Sequence, residues 1–112
     1  MILRINIQAF CLNQDTVDAI KGLAEERLLI RSTINAELGG HARALEVLES
    51  AKAPDLIIVE TTAENDALFE ELDALANMCE PGTRLLLIGV QNDIALFREL
   101  MNMGVSEYLL TP

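Results

Sequence analysis

A three-layer α/β sandwich around a parallel sheet is the fold class this sequence predicts, and three observations predict it. Short apolar runs alternate with stretches of helical spacing, strand then helix, four times over before a last strand. That alternation calls for parallel strands joined by right-handed crossover helices. Two of the runs, at 56–59 and 85–88, are apolar without interruption, as in strands covered on both faces. The chain has 112 residues, 51% of them hydrophobic and 23% charged, which fits one domain around one core.

The elements follow in order. Leu3, Ile5, Ile7 and Ala9 alternate with Arg4, Asn6, Gln8 and Phe10, the period-two pattern of a strand. Val17, Ile20, Leu23 and Ala24 then lie on one face of a helix, with Asn13 as its cap. Residues 28–34 make the second strand. Gly39 and Gly40 open a helix that turns Ala42, Leu45 and Leu48 inward. Pro54 and Asp55 end it before the third strand. Thr61 and Glu64 have the spacing of a capping box, ahead of a helix burying Leu68, Leu72, Leu75 and Cys79. Pro81 and Gly82 turn the chain into the fourth strand. Asn92 caps a helix with Ile94, Phe97, Leu100 and Met101 inward and Gly104 past its end. Residues 105–110 form the fifth strand, ahead of Thr111 and Pro112.

Five parallel strands linked in this way take the flavodoxin-like order 2-1-3-4-5. A last crossover helix is absent or lies beyond the chain end, so one face near strands four and five is predicted to lack cover. Aromatics are only 4% of the residues, with no Trp, so the core is aliphatic. Lys and Arg total 8 against 18 Asp and Glu, a net charge of −10, which argues against nucleic acid or an anionic membrane as partner. Cys11 and Cys79 are too few for a disulfide framework. With a single His, His41, they cannot complete a zinc site. No run approaches the ~18 apolar residues of a membrane span. The expected compartment is the reducing cytoplasm.

Chemistry in such a sheet belongs at the carboxyl ends of the strands. The predicted junctions there offer Phe10-Cys11-Leu12, Asn35-Ala36-Glu37, Glu60-Thr61-Thr62, Gly89-Val90-Gln91 and Thr111-Pro112. They hold no His, Lys or Arg, and no nucleophile with a base beside it. Glu60 stands nearly alone there, whereas a hard cation wants several convergent oxygens. Asp15 and Asp93 fall at helix starts, where a carboxylate stabilises the dipole.

The segment PDLIIVE, then TRLLLIGV, then a helix ending MGVSEYLLTP, resembles the response-regulator receiver (CheY-like) family. Receivers carry an acidic pair after the first strand, a phosphoacceptor Asp ending the third, Thr or Ser ending the fourth, and Lys before Pro after the fifth. Carried over, the acidic-pair positions are Phe10, Cys11 and Leu12, the phosphoacceptor position is Glu60, the hydroxyl position is Gly89 and the Lys position is Thr111. Tyr108 and Pro112 keep the receiver residue types. The resemblance thus implies a receiver shape whose chemical positions have all been replaced, with no Mg²⁺ cage, no metal and no cofactor. Asp55 cannot stand in for the acceptor, because it lies five residues from Glu60, or ~16 Å along the strand.

The words CEPGTRLLLIG and NDIALFRELMNMGVSEYL, with IQAFC near the start, are similar to the amino-terminal receiver-like domain of the CpaE/TadZ pilus-assembly family. That resemblance implies a domain preceding a ParA/MinD-like ATPase domain. It also implies a full-length protein that positions the secretion machine of tight-adherence (Flp-type) pili, often at a cell pole. The 112 residues contain no GxxxxGK[ST] phosphate loop, so no ATPase activity attaches to them. The expected function is non-enzymatic: a protein-interaction and localisation domain that is not phosphorylated. The alternative is a receiver active in phosphorelay. The expected partners are proteins, either a second copy or pilus-assembly and secretion components, with no nucleic acid and no membrane insertion.

The candidate interface is Leu96, Leu100, Met103 and Tyr108. Leu96 and Met103 are seven apart on one flank of the fourth helix. They form either a patch for a partner or second copy, or the seat of the missing last helix. From 53 to 83 there is no basic residue and there are eight acids (Asp55, Glu60, Glu64, Asp66, Glu70, Glu71, Asp73 and Glu80), a solvated face or a dock for a basic partner. Cys11 has no basic neighbour to activate it and reads as a packing residue.

Overall fold

The computed structural model describes residues 6–23, 33–50, 54–78 and 82–110. The elements are β1 (Asn6–Cys11), α1 (Gln14–Leu23), β2 (Thr33–Leu38), α2 (Gly40–Ser50), β3 (Leu56–Glu60), α3 (Asn65–Met78), β4 (Arg84–Gly89), α4 (Ile94–Asn102) and β5 (Glu107–Leu110). They form a five-stranded sheet in the order β2-β1-β3-β4-β5, parallel throughout. This is the predicted architecture.

Pleating sends alternate residues to opposite faces, and each face has its own core. Phe10, Ile57, Val59, Leu85 and Leu87 meet Ala44 and Leu48 of α2, Leu68, Leu72 and Leu75 of α3, and Leu96 and Leu100 of α4. On the other face, Ile7, Ala9, Cys11 and Ile58 meet Val17 and Ile20 of α1. This second face thins toward β4 and β5. Leu86 and Ile88 are only partly buried there, and Leu109, paired with Ile88, is 48% exposed. The uncovered face is where the sequence predicts it.

Several boundaries differ from expectation. β2 runs from Thr33 to Leu38, so Asn35, Ala36 and Glu37 belong to the strand, and the junction is Leu38 to Gly40. An edge strand tolerates the polar alternation that made this stretch read as a loop. Residues 28–32, Cys79, Pro81 and Thr111 lie outside the described residues. Of the residues expected inward on α2, Leu48 is buried, Leu45 is partly buried and Ala42 is exposed, while Ala44 is the closest packed. The capping box does not form. α3 starts at Asn65, and the Thr61 hydroxyl accepts from Ala63 N at 3.0 Å and donates to Glu71 at 2.8 Å. Asp93, not Asn92, caps α4, its carboxylate accepting from Ala95 N and Leu96 N.

The expected faces of α4 hold in part: Leu100 is buried and Met101 packs against the core as expected, but Leu96 takes the inward place expected of Ile94 and Phe97. Leu96 and Leu100 point into the core and Met103 packs against it, whereas Ile94 is 74% and Phe97 39% exposed. Tyr108 is buried as well. The candidate interface of Leu96, Leu100, Met103 and Tyr108 is therefore core. The apolar surface on this side is Ile94, Phe97 and Leu110. Two apolar stripes run along α4, and the spacing alone could not choose between them.

Asp55 closes the amino ends of three strands. It donates its N–H to Asn6 O, accepts Asn6 N on its carboxylate at 2.8 Å, and accepts Arg84 N on its carbonyl. It lies at the opposite end of β3 from Glu60, as the spacing requires.

Candidate functional site

Glu60 ends β3 among the carboxyl ends of the strands, 2% exposed. Its carboxylate is surrounded by donors. Oε1 accepts the backbone N–H of Leu12 at 2.6 Å and of Asn13 at 3.0 Å. Oε2 accepts Asn13 Nδ2 at 3.2 Å and the Thr16 hydroxyl at 2.8 Å. All four donors belong to the β1–α1 turn and the first turn of α1. The amino end of a helix offers unpaired N–H groups and partial positive charge. The side chain that neutralises α1 thus comes from β3, 47 residues along from Asn13. Asn13, expected to cap α1, turns its amide to Glu60 and keeps only its carbonyl on the helix, accepting Thr16 N and Val17 N.

Burial by itself pushes the Glu60 carboxyl up, but the hydrogen bonds from Leu12, Thr16 and Asn13 outweigh it and hold the group below the usual carboxylate range. Glu60 is therefore an ionised, hydrogen-bonded anion inside the protein. Cys11, 0% exposed, lies beside it. Burial, and then the charge of Glu60, push the thiol up to about 11, so it stays protonated and unreactive at neutral pH.

The start of α2 packs against this corner. Gly40 has φ +57, and a Cβ there would stand 2.7 Å from Leu12 Cδ2 and 3.4 Å from the Glu60 carbonyl oxygen. Glycine satisfies both the backbone and the close approach. A second network lies behind it: His41 Nδ1 is 3.2 Å from Glu71 Oε1, the atom that also accepts the Thr61 hydroxyl. Polar side-chain contacts thus tie the starts of α1 and α2 to β3 and α3.

At β4, Gly89 lies against the ring of Tyr108, whose hydroxyl donates to Gln91 O at 2.9 Å and accepts Gln91 N at 3.2 Å. Gln91 Nε2 donates to Asn65 Oδ1 at 2.9 Å, and Asn65 N donates to Gln91 Oε1 at 3.2 Å. Glu60 and Gly89 therefore end β3 and β4, Phe10 and Cys11 end β1, and Leu12 lies just past it. Phe10 and Cys11 are core residues, and Leu12 contributes its backbone N–H to Glu60. Thr16 goes unmarked in the sequence, and Glu71 and Gln91 stand there only as one acid among eight and as a strand-end residue without a role. Their signal, a polar residue one turn into a helix or just past a strand, is too common to single them out.

The donor set decides what Glu60 can hold. A divalent cation such as Mg²⁺ needs a shell of oxygen acceptors. Here N–H and O–H donors point at the carboxylate, and Phe10, Cys11 and Leu12 bring no carboxylate side chain. The residues do not fit a metal ion. Among the described residues no group of three His, Cys, Asp or Glu is placed to hold one, and no helix is long and apolar enough to cross a membrane.

No family model and no curated protein matches the chain. Solved structures do. The crystal structure of the pilus assembly protein CpaE from Caulobacter crescentus CB15 is similar with a TM-score of 0.92 and 41% identity, over 97% of this chain and 83% of that one. The Sinorhizobium meliloti 1021 protein named as the CpaE2 pilus assembly protein is similar with a TM-score of 0.91 and 31% identity, over 96% and 88% of the two chains. A two-component response regulator from Clostridium difficile shares the fold at a TM-score of 0.69 and 21% identity, over 96% and 84%.

Proposed function

The chain belongs to the CpaE family of pilus-assembly proteins, and from that premise we propose that it is a receiver-like domain that binds other proteins and catalyses nothing. The observation that carries this reading is the engagement of Glu60. A carboxylate that attacks a phosphodonor needs a free lone pair and a bound cation to offset the charge it gains. Both Glu60 oxygens are already taken by donors of the β1–α1 turn and the first turn of α1, and the positions that would build the cation cage are Phe10, Cys11 and Leu12.

The interaction surface in this reading is the α4–β5 side. Ile94, Phe97 and Leu110 are exposed there beside a recess of about 170 Å³ that Tyr108 and Gln91 also line. Protein partners are a second copy or components of pilus assembly and secretion. The domain precedes a ParA/MinD-like ATPase domain in the full-length protein, works in the cytoplasm and contributes to recruitment at a cell pole.

The test is mass spectrometry after incubation with a small-molecule phosphodonor and Mg²⁺. An unchanged mass is expected. A phosphoryl adduct on Glu60 would overturn the proposal in favour of a working phosphorelay receiver.

A further inference from the structure

We infer that Gly89 is a positioning residue for the α4–β5 side: its missing side chain is what lets Tyr108 lie inward, keeping the recess between α4 and β5 open without any ligand or modification. Gly89 is the last residue of β4 and pairs with Leu110 of β5. It is not among the glycines with positive φ (Gly39, Gly40, Gly82 and Gly104), so its backbone suits any L residue. What excludes a side chain is the tyrosine. A Cβ on residue 89 would stand 2.5 Å from Tyr108 Oη, 2.6 Å from Cε1 and 2.8 Å from Cζ. These distances are well inside van der Waals contact, and the atoms are the far end of a side chain that can rotate away.

The inward ring is also tied down. Its hydroxyl bridges the N–H and carbonyl of Gln91, and the Gln91 amide pairs with Asn65 at the start of α3. The ring thus braces the loop from β4 into α4 against α3. It is also part of the recess wall, with Ile94, Phe97 and Leu110. A ring displaced from over Gly89 must leave this hydrogen-bonded seat and swing toward the recess and solvent. The consequence for partner binding rests on the function proposed above; the position of the ring does not.

Tyr108 is the chain's one tyrosine, and there is no tryptophan, so absorbance and fluorescence excited at phenol wavelengths, where the three phenylalanines do not absorb, report this ring alone. In the unsubstituted chain the ring is shielded, and burial together with the charge of Glu64 holds its phenol above the ordinary value against the opposing Gln91 N–H. Gly89→Ala and Gly89→Thr should raise acrylamide quenching of Tyr108 and bring its titration midpoint down toward about 10. They should also lower the unfolding temperature. In a Tyr108→Leu background, where the ring end is gone, the same substitutions should leave that temperature nearly unchanged. Quenching and titration that stay as in the unsubstituted chain would overturn the inference. So would an equal loss of unfolding temperature in the Tyr108→Leu background, or failure of the double variant to fold. None of these results depends on whether Glu60 accepts phosphate.

Discussion

Glu60, the last residue of β3, accepts the backbone N–H of Leu12, just past β1, at 2.6 Å. A hydrogen bond from the start of a helix to a buried carboxylate is charge-assisted, and Asn13 and Thr16 add three more at the same group. It fixes the first turn of α1 to the centre of the sheet, where a receiver would expose its reactive group.

Glu60→Gln keeps the shape but removes the charge and turns one acceptor into a donor facing donors. It should destabilise the domain by about 1–3 kcal/mol, lowering the unfolding temperature by roughly 4–13 °C. Calorimetry checks it. A carboxylate kept for an external ligand would instead show little loss.

The pH dependence has a definite sign. The folded carboxyl of Glu60 lies below its unfolded value, near 4.3, so its contribution is present in full above that value and is lost as pH falls through the folded one. Urea unfolding from pH 7 to pH 3 should show the gap between the unsubstituted chain and Glu60→Gln widest at the neutral end and closing in acid. A gap that widens in acid would contradict the assignment.

The two sides of α4 should respond oppositely. Leu100 is 0% exposed, so Leu100→Ala should cost about 2–5 kcal/mol in urea unfolding. Ile94 is 74% exposed, and Ile94→Ala should stay within about 0.5 kcal/mol. Ile94→Asp and Phe97→Asp should keep the fold while weakening whatever association this side supports, as read by light scattering. The reverse ranking of Leu100 and Ile94 would return the interface to Leu96 and Leu100.

Cys11 should resist thiol reagents in the folded chain at pH 8 and react once the chain is unfolded, because its thiol is both buried and protonated. Peptide mapping after labelling separates it from Cys79.

Much of this was legible in the sequence because burial writes itself into residue type. Ile57, Ile58 and Val59 of β3 had to be covered on both faces, and the strand order followed from the strand–helix rhythm. α4 misled because both of its flanks are apolar, so Ile94 and Phe97 read as inward and Leu96 as outward. β2 misled because an edge strand mixes Thr33, Asn35 and Glu37 with Ile34 and Ala36. The place of Glu60 was legible, but its partners were not. Two of its four donors are backbone N–H groups of Leu12 and Asn13, which leave no mark in sequence. The fit of Tyr108 over Gly89 was hidden for the opposite reason: a missing Cβ acquires meaning only when the neighbour it would strike is known.

The most direct test of Glu60 as an internal anchor is a carbon-detected NMR titration of its side-chain carboxyl, with and without millimolar Mg²⁺. A midpoint below the usual glutamate value, and no change in shift on adding the metal, is the result expected. An ordinary or raised midpoint, or a carboxyl resonance that moves with Mg²⁺, would mean that the group faces outward to a ligand and is not spent on α1.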